Sequence, residues 1–266
     1  LALISLVIAA LLVLVAALAP WVAPYGAGQT DYGAQNASIG SPGHLLGTDA
    51  LGRDLLSRMI YGLRTALLVA FFSQLITVVV ALAVGVTAGY LGGRADSFLM
   101  ATTDVMYAFP TYLFAVLLVT VFGRGFWTVV IAIAIADWVT QARLSRAQVL
   151  TLKQREYVEA ARSMGASGPR IAIRYILPNA IGPILVATSF AIPAAITAEA
   201  GLSLLGLGIA NMPSWGTMLN EGVRAVASAP HLVLAPALAF AVTLLTFTWI
   251  GDGLRDAFDV TQEDVR

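Results

Sequence analysis

Charge is scarce in this chain. Asp, Glu, Lys and Arg make up 11% of the residues against 59% that are hydrophobic, less than half the roughly 25% charge of soluble domains, so water is not its main solvent. Lys plus Arg equals Asp plus Glu, 15 against 15. There is therefore no global basic excess to attract nucleic acid, and any charge logic is local. Cysteine is absent, which excludes disulfides, thiolate metal sites and a cysteine nucleophile. Two histidines leave little for a metal cluster. The pattern G-x-x-x-x-G-K-[ST] is missing too, so the chain has no phosphate-binding loop of that kind.

Long apolar runs take the place of charge. Residues 1–19 are apolar except for Ser5, about the length that crosses a bilayer. Ala17-Leu18-Ala19 imitates a cleavage site, but the run exceeds a usual signal core and no basic segment precedes it, so a retained span is expected. The chain starts without Met and inside this run, and a native N-terminal tail is expected ahead of it. Five further stretches follow at about 65–91, 97–122, 126–144, 180–208 and 232–251. They lack the period-two alternation of membrane strands, whereas helices satisfy their own backbone in lipid. The expectation is an all-α polytopic membrane protein with six transmembrane helices. Gly85 and Gly89 have small-xxx-small spacing, suited to close approach of another helix of the same chain. Pro110 and Pro193 are expected to kink the third and fifth spans.

Six spans put both chain ends on one side, and the basic residues choose the side. Arg143, Arg146, Lys153, Arg155, Arg162, Arg170 and Arg174 fall after the fourth span, with Arg94, Arg255 and Arg266 on the same side. That side is expected to be cytoplasmic, although Arg53, Arg58, Arg64, Arg124 and Arg224 lie on the other. The implied organisation is a first span with its external end at 1–24, an external segment at 25–64, and a five-helix core at 65–251. The core includes a cytoplasmic loop at about 145–179 and an external segment at about 211–230, and a cytoplasmic tail covers 252–266. Trp21, Tyr25 and Trp215 suit interfacial positions.

The cytoplasmic loop has its own pattern. From Gln154 to Met164, Tyr157, Val158, Ala161 and Met164 recur at helical spacing while Arg155, Glu159 and Arg162 fall elsewhere around the helix. Gly165 is placed to stop it. Ser167-Gly168-Pro169 offers a cap and a first-turn proline for a second helix to Leu177, which Pro178 should interrupt. Composition alone equally allows an amphipathic helix resting on lipid headgroups.

The order Glu159-Ala160-Ala161, three residues, Gly165, then Ile171 to Arg174 and Ile176-Leu177-Pro178 resembles the EAA loop of binding-protein-dependent ABC importer permeases. Tyr175 stands where that family often has histidine. The blocks 44–49, 51–54, 57–58, 61–62, 198–200, 202–203, 205–208, 213–216 and 251–256 are similar, in order, to the second (C-type) permease of dipeptide, oligopeptide and nickel importers. Glutathione is carried by similar permeases. The resemblance implies a non-catalytic, multi-pass subunit of the bacterial inner membrane, binding no cofactor itself, with ATP and magnesium used by partners. Those partners are a homologous second permease subunit, two cytoplasmic ATPase subunits and an external solute-binding protein. It also implies that Tyr157, Glu159, Ala160, Ala161, Gly165, Leu177 and Pro178 serve the coupling of the ATPase to the pore. Within this set, Glu159 is expected to anchor the loop by local polar contacts and Gly165 to permit its tight reversal.

Other residues are weighed beside these. His44, Asp49, Arg53 and Asp54 lack a recognised metal-ligand spacing, so turn-stabilising bonds and ion pairs are expected of them. With Trp215, they are also candidates for contact with the solute-binding protein. Asp104, Asp137 and Glu199 fall inside apolar runs, where a charge is costly unless paired, protonated or facing a wet cavity. Asp104 and Glu199 are candidates for the translocation path. A Ser203 and His231 dyad fails because Gly201-Leu202-Ser203-Leu204-Leu205 lacks the second glycine of a nucleophile elbow. An ion-coupled secondary transporter is the rival of another class.

Overall fold

In the computed structural model the structure describes residues 2–263, with side chains through Phe258; Leu1 and the tail residues 264–266, Arg266 among them, lie outside the described residues. The architecture is helical throughout, and pairing among the described residues is confined to the isolated bridges Thr30–Arg53, Ser41–His44 and Thr48–Asp54. In order come α1 (Ala2–Ala17), α2 (Ala19–Val22), a 3-10 turn (Tyr32–Ala34), α3 (Leu55–Leu91), α4 (Gly93–Tyr107) and α5 (Thr111–Phe122). Then follow α6 (Phe126–Leu152), α7 (Glu156–Ser163), α8 (Gly168–Ile171), a π-helical turn (Ala172–Ile176), α9 (Leu177–Leu204), α10 (Trp215–Arg224) and α11 (His231–Glu263).

All six expected apolar runs are helical, but the count of spans needs correcting in its detail. Four are single helices long and apolar enough to cross a membrane, within α3, α6, α8 through α9, and α11. The third expected span is instead a pair, α4 and α5, bent by 81°. Pro110 lies at the break, where the residue before a proline is driven out of the helical region. The first run gives only the 16 helical residues of α1, roughly 24 Å at 1.5 Å per residue. Pro193, with Pro183, lies inside a continuous α9 and does not interrupt it.

Helices α3 and α6 form the centre. A Cβ at Gly85 would stand 2.5 Å from the Ala142 carbonyl, and one at Gly89 would stand 2.9 Å from the Val149 side chain. The small-residue pair thus serves contact within the chain. Around this seam Val69, Val119, Val129, Val130, Ile196 and Leu202 close the main core. The helices also outrun the apolar stretches. α6 continues past residue 144, so Arg143 and Arg146 are helical rather than loop, and α11 continues through much of the expected tail.

Candidate functional site

The loop between α6 and α9 is held by a small apolar core of its own. Val149, Val158, Ala161, Ile171 and Ile176 are fully buried together, with Tyr90, Leu152 and Tyr175 packed against them. Each buried valine or isoleucine contributes about 1.5–3 kcal/mol, enough to seat a helix of two turns that would not persist alone. Lys153 closes the seam: its ammonium donates to the Tyr90 carbonyl at 2.6 Å and lies 5.4 Å from the Tyr90 ring centre. A cation at the carbonyl end of α3 is also favoured by the helix dipole.

Gly165 ends α7 at φ +81°. The Ala166 amide donates to the Ala161 carbonyl and the Gly165 amide to the Arg162 carbonyl, both at 3.0 Å, the two bonds of a Schellman motif. Pro178 does not break the second helix as expected. It sits in the first turn of α9, and the ladder accommodates its missing N–H by opening into the π-helical turn, where the Leu177 amide reaches back to the Ala172 carbonyl. Glu159 also departs from expectation. It is exposed, and among the described residues no hydrogen bond or ion pair holds its carboxylate. The anchors are apolar instead. Tyr157 on α7 is 38% exposed and Met164 at its C-cap 77%, so of Tyr157, Val158, Ala161 and Met164 only Val158 and Ala161 face inward. Partial burial raises the Tyr157 phenol above its ordinary value, against the pull of Arg155.

At the far end of the bundle the expected turn and ion-pair roles are filled. Asp54 caps α3 through the Ser57 amide at 2.8 Å and meets His44 Nδ1 at 3.0 Å. Asp49 accepts from the Leu51 and Arg53 amides at 2.8 and 3.0 Å, from Arg53 Nε at 2.6 Å, and from Arg58. Glu221 on α10 joins the same two arginines at 3.0 and 2.7 Å. His44, Asp49, Asp54 and Arg58 are buried by this network. Trp215 is buried too, donating to the Met59 carbonyl at 3.2 Å, which removes it from the interface position expected of it. Arg53 and Glu221 are what this network leaves partly open, at 21% and 44% of their side chains.

The charges expected inside spans differ in setting. Asp104 is exposed and paired with Arg143 at 2.6 Å, whose guanidinium also lies 4.4 Å from the Tyr107 ring centre. Arg146 binds both oxygens of Asp96 at 2.5 and 2.7 Å, so two arginines tie α4 to α6. Asp137 accepts from Gln74 at 3.1 Å, and Gln141 donates to Gln74 at 3.0 Å, a polar chain across the α3–α6 seam. Glu199 is buried and accepts from Ser203 at 2.7 Å. The Ser203 hydroxyl is therefore committed to Glu199 and not to His231. Among the described residues no cluster of three or more His, Asp or Glu could hold a metal.

Residues 81–261 match the family of binding-protein-dependent transport system inner membrane components, and residues 1–38 match the N-terminal transmembrane domain of oligopeptide transport permease C. The chain belongs to this permease family. It is 44% identical to the glutathione transport system permease protein GsiD of Pectobacterium atrosepticum, covering 82% of this chain and 73% of that protein. To the dipeptide transport system permease protein DppC of Bacillus subtilis it is 42% identical, covering 82% and 69%. Its fold is similar to a chain of the inward-facing MetNI methionine ABC transporter, with TM-score 0.64, 18% identity, and coverage of 76% of this chain and 97% of that one. As a permease the chain is a non-catalytic, multi-pass component of the inner membrane.

Several residues that shape the permease were not singled out from its sequence. Gln74 and Gln141 were detectable as polar residues inside apolar runs. Lys153 counted only as a loop charge, and nothing local marked Tyr90 or Glu221, whose partners stand 63, 163 and 168 residues away.

Proposed function

We propose that this permease is half of the membrane pore of an ATP-driven importer of dipeptides or oligopeptides. It works with a homologous second permease, two cytoplasmic ATPases and an external solute-binding protein. The observation that carries this reading is α7: a helix fastened by Val158 and Ala161 at one end of the bundle, displaying Tyr157, Glu159, Ala160, Arg162 and Met164 outward. A face with an exposed Met beside unpaired charges suits a protein cleft better than water. ATP moves the pore only if the ATPase dimer binds the two permease states with different free energy, and α7 is where that difference enters. Gly165 holds the reversal, while Leu177 and Pro178 join it to α9. Glu159 acts on the partner and not on its own loop. At the other end, His44, Asp49 and Asp54 shape a platform from which Arg53 and Glu221 reach the solute-binding protein, with Trp215 supporting it from below. Asp104 and Glu199 contribute to the helices around the path.

Peptide is favoured because relatives named for oligopeptide and dipeptide transport match at 40% and 42% identity over four-fifths of the chain. Glutathione, itself a small peptide, is the second reading, from the relative at 44%. The test is uptake of labelled dipeptide, oligopeptide, glutathione and nickel in parallel by the reconstituted complex, with and without ATP. ATP-dependent peptide uptake is expected. Uptake that follows an ion gradient and ignores ATP would overturn the assignment, and nickel-only uptake would overturn the substrate.

A further inference from the structure

A groove of about 840 Å³ runs between α1, α3, α9 and α11, within the roughly 300–1,000 Å³ typical of ligand sites. Its wall is aliphatic and aromatic, with Leu67, Phe71, Leu75, Leu82, Leu185 and Phe247 among the lining side chains. The polar groups on it are spoken for. Gln74 turns to Asp137, and the Thr188 hydroxyl donates to the Ile184 carbonyl at 2.8 Å. Along the wall between them a peptide backbone would leave its N–H and C=O groups without partners.

One charge breaks the pattern. Arg64 lines the groove and is half-buried, and among the described residues no carboxylate or carbonyl meets its guanidinium. Arg53 and Arg58 have Asp49 and Glu221, Arg143 has Asp104, and Arg146 has Asp96. An arginine against an apolar wall is costly without an anion or water. Its depth suits an anion at the membrane surface. From Arg64 to Leu82 the wall rises roughly 27 Å at 1.5 Å per residue, close to the hydrocarbon thickness of about 30 Å. Arg64 is thus at headgroup level when the wall below it lies in hydrocarbon. The other end of α3, at Tyr90, touches the α7 loop, so this is the leaflet away from α7.

We propose that the groove holds one anionic phospholipid of that leaflet, its phosphate on Arg64 and an acyl chain along the aliphatic wall. A lipid fits better than a protein surface: a protein would have to bury a carboxylate against Arg64 at a desolvation cost, whereas a headgroup phosphate stays wet.

The test uses the chain reconstituted with its partner subunits in vesicles. Phosphatidylglycerol and phosphatidylcholine carry the same photoactivatable acyl chain, and cross-links are mapped by mass spectrometry. Peptides containing Phe71, Leu75 and Leu185 should be labelled about five-fold more by phosphatidylglycerol, the effect of one basic side chain near a charged surface. Arg64→Gln should equalise the two lipids and Arg64→Lys should keep the preference. Peptides containing Leu113 or Leu117, on α5, should show none. Equal labelling of the groove by both lipids in the wild type would overturn the proposal whatever the variants do. So would an unlabelled groove beside labelled helices elsewhere, which would mean that a partner subunit fills it.

Discussion

Gly165→Val isolates the backbone requirement at the end of α7. A Cβ at Gly165 would meet nothing within 4 Å, so space is not what demands glycine; the φ of +81° is. An L-residue in the left-handed region costs about 1–2 kcal/mol, and a β-branched one is more strained still. Against a whole-protein stability of roughly 5–15 kcal/mol, that leaves the bundle folded. Locally, the same energy raises the open population of the loop end about 5–30-fold. Amide exchange at Ala166, whose N–H is held by the Ala161 carbonyl, should accelerate by that factor in Gly165→Ala and by more in Gly165→Val. Gly165→Asn should stay near wild type, because asparagine tolerates this conformation. In the reconstituted complex, uptake per ATP hydrolysed should fall in Gly165→Val while membrane insertion is unchanged. Wild-type exchange at Ala166 together with wild-type uptake in Gly165→Val would refute both the backbone argument and the coupling role.

Four other perturbations separate strong contacts from weak ones. Asp49→Ala leaves the buried Arg58 short of its closest carboxylate and should destabilise the segment leading into α3 by about 3–5 kcal/mol. Glu221→Gln, at a side chain 44% exposed, should cost no more than about 1 kcal/mol; proteolysis rates across residues 25–54 give the comparison, and equal effects would refute the ranking. Gly85→Leu places a side chain where the Ala142 carbonyl already sits 2.5 Å from the Cβ position, and the fraction eluting as a monodisperse species after detergent extraction should collapse. Ser203→Ala deprives the buried Glu199 of a donor and should lower stability by about 1–3 kcal/mol, read as a shift in thermal unfolding in detergent. An unchanged melting curve would refute a stabilising role for this bond.

The sequence by itself determined the class of the protein and the place of the helical loop that follows α6. Apolar runs of bilayer length permit only helices once period-two alternation is absent, because lipid leaves backbone groups no other partner. Gly165 was legible because a helix stop with the chain reversing depends on the few residues around it. Gly85 and Gly89 were legible because four-residue spacing already places both on one helix face.

Tertiary structure decided what depends on distant partners. Whether Pro110 bends a span or divides it is not legible locally, since a proline disfavours helix at the residue before it without fixing the direction of the next helix, here turned by 81°. Pro178 likewise depends on its surroundings: with Ile171 and Ile176 packed under α7, the helix runs on through a π turn. Glu159 looked like an anchor in a motif, but its carboxylate faces outward because Val158 and Ala161 take the inward face. The role of Arg64 rests on a comparison across the whole bundle. A charge in an apolar stretch is visible in one dimension, whereas its lack of a partner is decided only when the other helices are in place.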